Sequence, residues 1–405
     1  MKVVHITTID QGGAYTAVRR LNTCLKRQGV ESEIVLRTKT HEAHEGIQIL
    51  STRPCKFVSK IKNFINNLFS DKGMHIEGLG TDISRERSIK EADILVIHWI
   101  NSFLSYHEID RLCKLNKPVI WVLHDMWVFT GGCHYDHYCE KYEVGCNICG
   151  RARGFKKCAV RVFFRKKKKI FEHADIIFVG PSEWMTECAK RSRILQKKTV
   201  LYIPNVIDTN VFRVKNNKAE IQKKLQINVH KKIVIFGAAD EGTENERKGF
   251  SYLKSALEYL DPQKYFLIVF GNAADKCLTL PENLERKFIG YVEREEEMVE
   301  LYNVADVFAN PSLQEAFGYT VCEAMACGTP VVGFAIGGVK EQIRHMENGY
   351  LARYLDAQDL ARGIEYCAYN SEKLGKNARK AAEKYDYSCG GKKYIDLFEQ
   401  SMEDL

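Results

Sequence analysis

No run of 18 apolar residues occurs in the sequence, so no membrane-crossing helix is expected. The layout of a secretory leader is missing as well. MKVVHITTIDQGG has no basic region followed by an apolar core, and reads as a first β-strand. The expected location is therefore cytoplasmic, with most of the 14 cysteines as reduced thiols. There is no internal repeat and no low-complexity tract, which excludes a repeat architecture. Zinc-finger, RNA-recognition and helix-turn-helix signatures are also missing, so nucleic acid is not an expected partner. One stretch, 151–169, RARGFKKCAVRVFFRKKKK, lacks Asp and Glu altogether while the whole chain carries a net charge of +8.

What is present suits a globular protein. The chain has 405 residues, too many for one ordinary core, with 45% hydrophobic and 28% charged residues. The acid-free basic stretch implies an anionic partner. In CAVRVFFRKKKKIF, Val162, Phe163, Ile170 and Phe171 can share one side of a helix with the cations opposite. Residues 151–171 therefore read either as a peripheral contact with anionic membrane or as an ordinary amphipathic helix with a wet face.

Strand and helix alternate along the first half. Val3–Thr7 is a short β-branched run, and Gly12-Gly13 follows as a turn. Ala14, Val18, Leu21 and Leu25 then fall on one helical face, and Glu33–Leu36 is the next strand. This is a βαβ unit with a right-handed crossover. Further strands are expected at Ile94–His98, Val119–His124 and Ile176–Gly180. After Pro204-Asn205 the composition turns polar, and a second alternation starts at Lys232–Gly237. The expectation is α/β: a domain over 1–205, a second over 206–385, and a C-terminal helix in 386–405 crossing back to the first.

The densest chemistry lies in NPSLQEAFGYTVCEAMACGTPVVGFAIGGVKEQIRHMENG, residues 310–349. Glu315 and Glu323 are eight apart, with a helix expected to start near Tyr319. The loop Phe317, Gly318, Tyr319, Thr320 then presents free N–H groups at the positive helix end, a ready phosphate site. Glu323, one turn inside, can accept bonds from a ribose diol, and Glu315, further out, can meet a sugar. One segment thus offers contacts for sugar, diphosphate and ribose.

EAFGYTVCEAMACGTPVVGF resembles the two-glutamate segment of retaining glycosyltransferases of family 4, of the bacterial polysaccharide-biosynthesis type. GGVKEQI and ENGYLA are similar to the family's downstream segments. QGGAYTAVRRL resembles the family's glycine loop, PNVIDTNVF its interdomain segment, and FGAADEGTENERKGF its strand-loop-KG segment. The resemblance implies the GT-B fold, two Rossmann-like doubly wound domains facing across a cleft. It implies retaining transfer of a hexosyl group from a nucleotide diphosphate sugar (UDP- or GDP-linked) to a glycan or lipid-linked acceptor, in cell-surface or capsular polysaccharide synthesis. It implies no catalytic cofactor, because cations and helix termini neutralise the departing diphosphate. Residue by residue, it makes Lys248 the diphosphate lysine. It makes His124 a sugar contact at a strand end, Glu315 a sugar ligand rather than a nucleophile, and Gly12 and Gly13 a close approach to the donor. The family's arginine directly after the strand glycine is replaced here by Ala238 and Ala239 after Gly237, and Arg247 stands in as the second cation. His98 is read either as lining the acceptor side or as an ordinary core histidine, and Asp125 either as capping the following segment or as contacting the acceptor. The alternatives are a nucleotide-sugar epimerase of the same fold and a non-catalytic sugar-binding homologue.

One stretch is left over. TGGCHYDHYCEKYEVGCNICG places Cys133, Cys139, Cys146 and Cys149 in a loop shortly after His124. Four thiolates suffice for one tetrahedral structural zinc, with His134 and His137 as spare ligands. Two disulfides or free thiols are the other readings.

Overall fold

Val, Ile and Phe dominate the strands on both faces, as strands covered by helices on two sides require. In the computed structural model, which describes residues 1–38, 47–49, 64, 68, 73–76, 79–227, 230–237, 246–272 and 279–404, these strands form two parallel sheets. The chain divides into two compact units: Met1–Val206 with Ser388–Leu405, and Ile207–Tyr387.

In the first unit the sheet order is β3-β2-β1-β4-β5-β6-β7. The strands are β1 (Lys2–Ile9), β2 (Glu31–Thr38), β3 (Ile47–Ile49), β4 (Ile94–Ile97), β5 (Val119–Val122), β6 (Ile177–Gly180) and β7 (Val200–Tyr202). The order reverses direction at β1, which pairs β2 on one side and β4 on the other. Ligands of open parallel sheets collect beyond strand C-termini near such a switch point. Helix Gly12–Arg27 and the last helix, Tyr387–Glu403, cover this sheet. Leu21 and Leu25 of the former and Tyr394, Leu397 and Phe398 of the latter pack on Val3, Val96 and Ile120. The second unit has the order β10-β9-β8-β11-β12-β13. Its strands are β8 (Lys232–Gly237), β9 (Tyr265–Phe270), β10 (Arg286–Gly290), β11 (Val307–Asn310), β12 (Val331–Phe334) and β13 (Gly349–Ala352). Two Rossmann-like α/β units are thus present, the fold class expected.

Several details depart from expectation. Gly12 and Gly13 are not a turn before the first helix but its first residues. Strands β3, β7 and β13 were not foreseen; each is a short strand at a sheet edge, a position that does not demand the long apolar run of a central strand. The basic stretch forms the helix Lys156–His173, but its apolar side is not available to a membrane. Val160, Phe163, Phe164 and Phe171 are buried in the unit's core, Val162 points outward at 50% exposure, and Ile170 is half-buried. Burying aromatic area inside the fold is worth more than leaving it for a surface contact. One cation follows them inward. Lys167 is fully buried, its ammonium 4.2 Å from the Trp127 ring centre and 4.7 Å from that of Phe163, and it donates to the Trp127 carbonyl. Burial lowers its pKa to about 7, against opposition from Cys146, Asp125 and Cys133. Arg161, Arg165, Lys166 and Lys169 remain exposed. Among the described residues no helix is long and apolar enough to cross a membrane.

Candidate functional site

In the second unit, two chain segments 67 residues apart meet. Arg247 and Lys248 end the short turn Glu246–Lys248, and Gly249 follows with φ +64°. A Cβ at Gly249 would lie 1.9 Å from the Pro311 carbonyl oxygen, so only glycine lets the segments come this close. The approach is stitched by Leu313 N–H donating to the Arg247 carbonyl at 2.7 Å. It delivers both cations to one carboxylate oxygen. Lys248 Nζ is 2.8 Å and Arg247 Nη1 3.3 Å from Glu315 Oε2, and Arg247 also donates to the Gln314 carbonyl at 2.9 Å. From the other side Gly338 N–H donates to the Glu315 carbonyl at 3.0 Å. Gly337, φ +41°, passes so close that a Cβ would sit 2.2 Å from that oxygen. Burial alone would raise the Glu315 pKa, but Lys248 and Arg247 outweigh it and hold the carboxyl at about 2.

Glu315 leads directly into the helix Tyr319–Ala326. Gly318, φ +90°, precedes that helix and supplies no side-chain cap. The first-turn N–H groups therefore have no capping oxygen from a side chain, the arrangement that suits an anion. Phe317 serves this loop through its backbone. Its ring is buried against Tyr319 and Tyr385, at centroid distances of 5.2 and 5.3 Å, and its carbonyl accepts from Gln342 Nε2 at 2.6 Å. Tyr319 and Thr320 are half-buried. Glu323, 7% exposed, accepts the Tyr302 hydroxyl at 2.9 Å. Gly237 closes β8 against the Phe270 ring, and the expected gap at Ala238 and Ala239 lies outside the described residues.

The first unit holds a second cluster, at the C-terminal ends of β4 and β5. His124 and His98 stack with ring centres 5.2 Å apart, and His98 Nδ1 lies 2.9 Å from His124 Nε2. The row continues inward: His98 Nε2 is 2.9 Å from His5 Nδ1, and His5 Nε2 is 3.1 Å from Ser32 Oγ. Burial drives the His5 pKa down to about 3, and that of His124 to about 4 against the pull of Asp125. Burial also places His98 well below the usual histidine range, helped by His5 and His124. Beside this row, Asp125 accepts from His134 Nδ1 at 2.6 Å, and His134 Nε2 lies 2.9 Å from His75 Nδ1. Asp125 also accepts from Trp127 N–H at 2.8 Å. His98, Asn101, His124, Asp125 and Trp127 line a small cavity. Gly12, with φ +81°, and Gly13 are exposed at the start of their helix, with open space above both.

Cys133, Cys139, Cys146 and Cys149 do come together, around a cavity of about 20 Å³ also lined by Asp136, Lys141 and Tyr142. All four are free thiols. Cys149 Sγ accepts Ala152 N–H at 3.3 Å. Among the described residues, no three His, Cys, Asp or Glu side chains already stand where they could hold a metal ion. His134, named as a spare ligand, is corrected: both its ring nitrogens are engaged, one by Asp125 and one by His75.

Sequence reasoning missed His5, His75 and the Asp125–His134 pair. His5 sits mid-strand in VVHIT, where an alternation signal reads it only as a core position.

Residues 217–385 match the family model described as glycosyl transferases group 1. An uncharacterized glycosyltransferase of Methanocaldococcus jannaschii is 25% identical over 298 residues, covering 69% of this chain and 75% of its own. An N,N'-diacetylbacillosaminyl-diphospho-undecaprenol alpha-1,3-N-acetylgalactosaminyltransferase of Campylobacter jejuni is 27% identical over 265 residues, 62% and 68% of the two chains. Among solved structures, Anabaena HepE in complex with UDP and glucose superposes with a TM-score of 0.68 at 16% identity, covering 98% of this chain and 99% of its own. That last likeness is one of fold. The family model and the relatives together support a glycosyltransferase.

Proposed function

We propose that this glycosyltransferase is a retaining, metal-independent hexosyltransferase. It moves a sugar from a nucleotide diphosphate sugar to a glycan or lipid-linked acceptor in cell-surface polysaccharide synthesis. The observation that carries this reading is the convergence of Lys248 and Arg247 on Glu315, directly ahead of an uncapped helix start. A departing diphosphate gains charge as the glycosidic bond breaks, and preorganised cations and N–H groups aimed at it lower the barrier. In this reading Lys248, Arg247 and the N–H groups of 317–320 take the diphosphate. Glu315, ionised at any working pH, accepts sugar hydroxyls, and Glu323 with Tyr302 meets the ribose. Front-face transfer then needs no protein nucleophile: the leaving phosphate oxygen takes the proton of the attacking hydroxyl, and positioning does the rest. His124, at the C-terminal end of β5, is read on its own as a contact to a sugar hydroxyl.

Two of the similar proteins lend support. The Anabaena protein was solved with UDP and with glucose, which favours a UDP-sugar. The Campylobacter relative acts on a diphospho-undecaprenol substrate, which favours a lipid-linked acceptor. The exposed cations of helix Lys156–His173 fit electrostatic contact with the anionic cytoplasmic face of a membrane. Thermal unfolding with a panel of nucleoside diphosphates tests the reading. Binding at 100 times Kd stabilises by about 2.7 kcal/mol, which raises the melting temperature by a few degrees. Stabilisation by UDP or GDP is expected, and no shift with any of them at millimolar concentration would sink the assignment.

A structural zinc on Cys133, Cys139, Cys146 and Cys149 is part of the same proposal. Four thiols around one cavity are the right donor set, and binding would have to draw them inward. Residues 130–155 contain little regular structure and four non-glycine residues with positive φ (His137, Tyr138, Glu140, Cys146), so a cross-link would stabilise the loop. Metal analysis is expected to find one zinc per chain, lost in Cys146→Ser/Cys149→Ser. Metal-free protein from zinc-supplemented expression would rule it out.

A further inference from the structure

A hydrogen-bonded row crosses four neighbouring strands of the first unit. Asn22, on helix Gly12–Arg27, accepts from Ser32 of β2; His5 of β1, His98 after β4 and His124 after β5 follow in line. Asn22, Ser32, His5 and His98 are all at most 6% exposed, so each has its partner within the row rather than in bulk water.

The direction of every proton in this row is determined from its buried end. Ser32 Oγ donates its one hydrogen to Asn22 Oδ1, at 2.8 Å. It can therefore only accept from His5, so His5 carries its proton on Nε2. Burial keeps His5 neutral, with a pKa near 3, which leaves Nδ1 bare. His98 must then donate from Nε2. Being neutral too, it is bare at Nδ1 and accepts from His124 Nε2–H. Each imidazole passes the same polarity to the next, because a neutral ring has one donor and one acceptor. Among the described residues nothing hydrogen-bonds His124 Nδ1, and His124 is half-buried at the cavity shared with Asn101 and Asp125.

We infer that Asn22, Ser32, His5 and His98 are positioning residues that lock His124 in its Nε2–H tautomer, so that His124 meets its ligand as an acceptor at Nδ1 and takes a hydrogen bond from a ligand hydroxyl. The ligand class rests on the reading that His124 faces a sugar; the tautomer does not. A reversed row would present an N–H at the same place and favour a carbonyl or phosphate oxygen instead. The row therefore selects for a hydroxyl-bearing group and against an anionic one at this point.

The experiment reads the tautomer directly. Full-length protein labelled with ¹⁵N-histidine gives ring-nitrogen shifts that separate protonated from bare nitrogens, with His124 assigned by loss of its signals in His124→Gln. The wild type is expected to show His124 with Nε2 protonated and Nδ1 bare at pH 7. In Ser32→Ala the anchor is gone, and the Nδ1–H form should appear in His5, His98 and His124 together; Ser32→Thr, which keeps the hydroxyl, should retain the wild-type pattern. Wild-type His124 protonated at Nδ1, or at both nitrogens, overturns the inference without any variant. An unchanged His124 tautomer in folded Ser32→Ala overturns it as well. On activity, Ser32→Ala is expected to lower kcat/KM about tenfold while leaving the melting shift given by UDP unchanged. If no nucleotide stabilises the protein yet His124 is Nε2–H, the functional reading fails and the tautomer assignment stands.

Discussion

Replacing Lys248 by alanine is expected to lower sugar-donor turnover about 10²- to 10³-fold, the usual cost of removing one preorganised donor to a developing anion. Glu315→Ala should fall in the same range for a different reason. Its carboxylate holds Lys248 and Arg247 on a single oxygen, at 2.8 and 3.3 Å, so its loss frees two cations to move apart. The effects of the two substitutions should not add, since each breaks the same three-way contact. Lys248→Ala should not unfold the protein, whereas Glu315→Ala leaves the 18%-exposed Arg247 without its carboxylate and should lower stability as well. Lys248 is 42% exposed, and an ion pair that wet contributes little to stability. Glu315→Gln separates charge from shape: it keeps an acceptor for sugar hydroxyls but no longer pairs two cations, and should recover only part of the activity. The measurement is hydrolysis or transfer from the donor that best stabilises the protein, with melting curves of each variant as control. Activity within a factor of three of wild type in Lys248→Ala would remove Lys248 from the proposed machinery.

Acidification from pH 6.5 toward pH 4 should destabilise the first unit steeply. His5 binds a proton near pH 6.5 when unfolded but, buried, only near pH 3. Between those values the unfolded state holds the extra proton, so stability is complete above pH 6.5 and is lost as pH falls toward 3. For a group this deeply buried the whole loss is on the order of 5 kcal/mol, a large share of ordinary domain stability. His98 acts in the same direction. The slope is the informative quantity. Urea midpoints between pH 7.5 and 5 should fall in the wild type and fall less in His5→Gln, whose amide cannot take up a proton. Equal slopes in the two proteins would mean that His5 is not neutral in the fold.

The two sites were legible to different degrees because they are built over different sequence distances. EAFGYTVCEAMACG lies within one loop and one short helix, where composition and spacing translate directly into geometry. The partnership of Lys248 with Glu315 spans 67 residues and depends on Gly249 reaching Pro311, which spacing alone does not reveal. The histidine row is still less visible. His5 lies in β1, and His98 and His124 follow β4 and β5, so their adjacency comes from the order β1-β4-β5, and His5 looks like any core residue of its strand. Lys167 inverts the composition-based reading in the same way. Within a run of lysines it occupies the helical position four residues beyond Phe163, and the inward face carries it into the core.

The sequence by itself determined the two-unit α/β class, through the repeated alternation of apolar strand and amphipathic helix. It also determined the glycine-led helix start at Tyr319, because helix starts and glycine turns are local. Only the tertiary structure decided which charges meet and which way protons point. Those depend on side chains brought together by parallel strand order and buried away from water, where each donor must find the acceptor the fold provides.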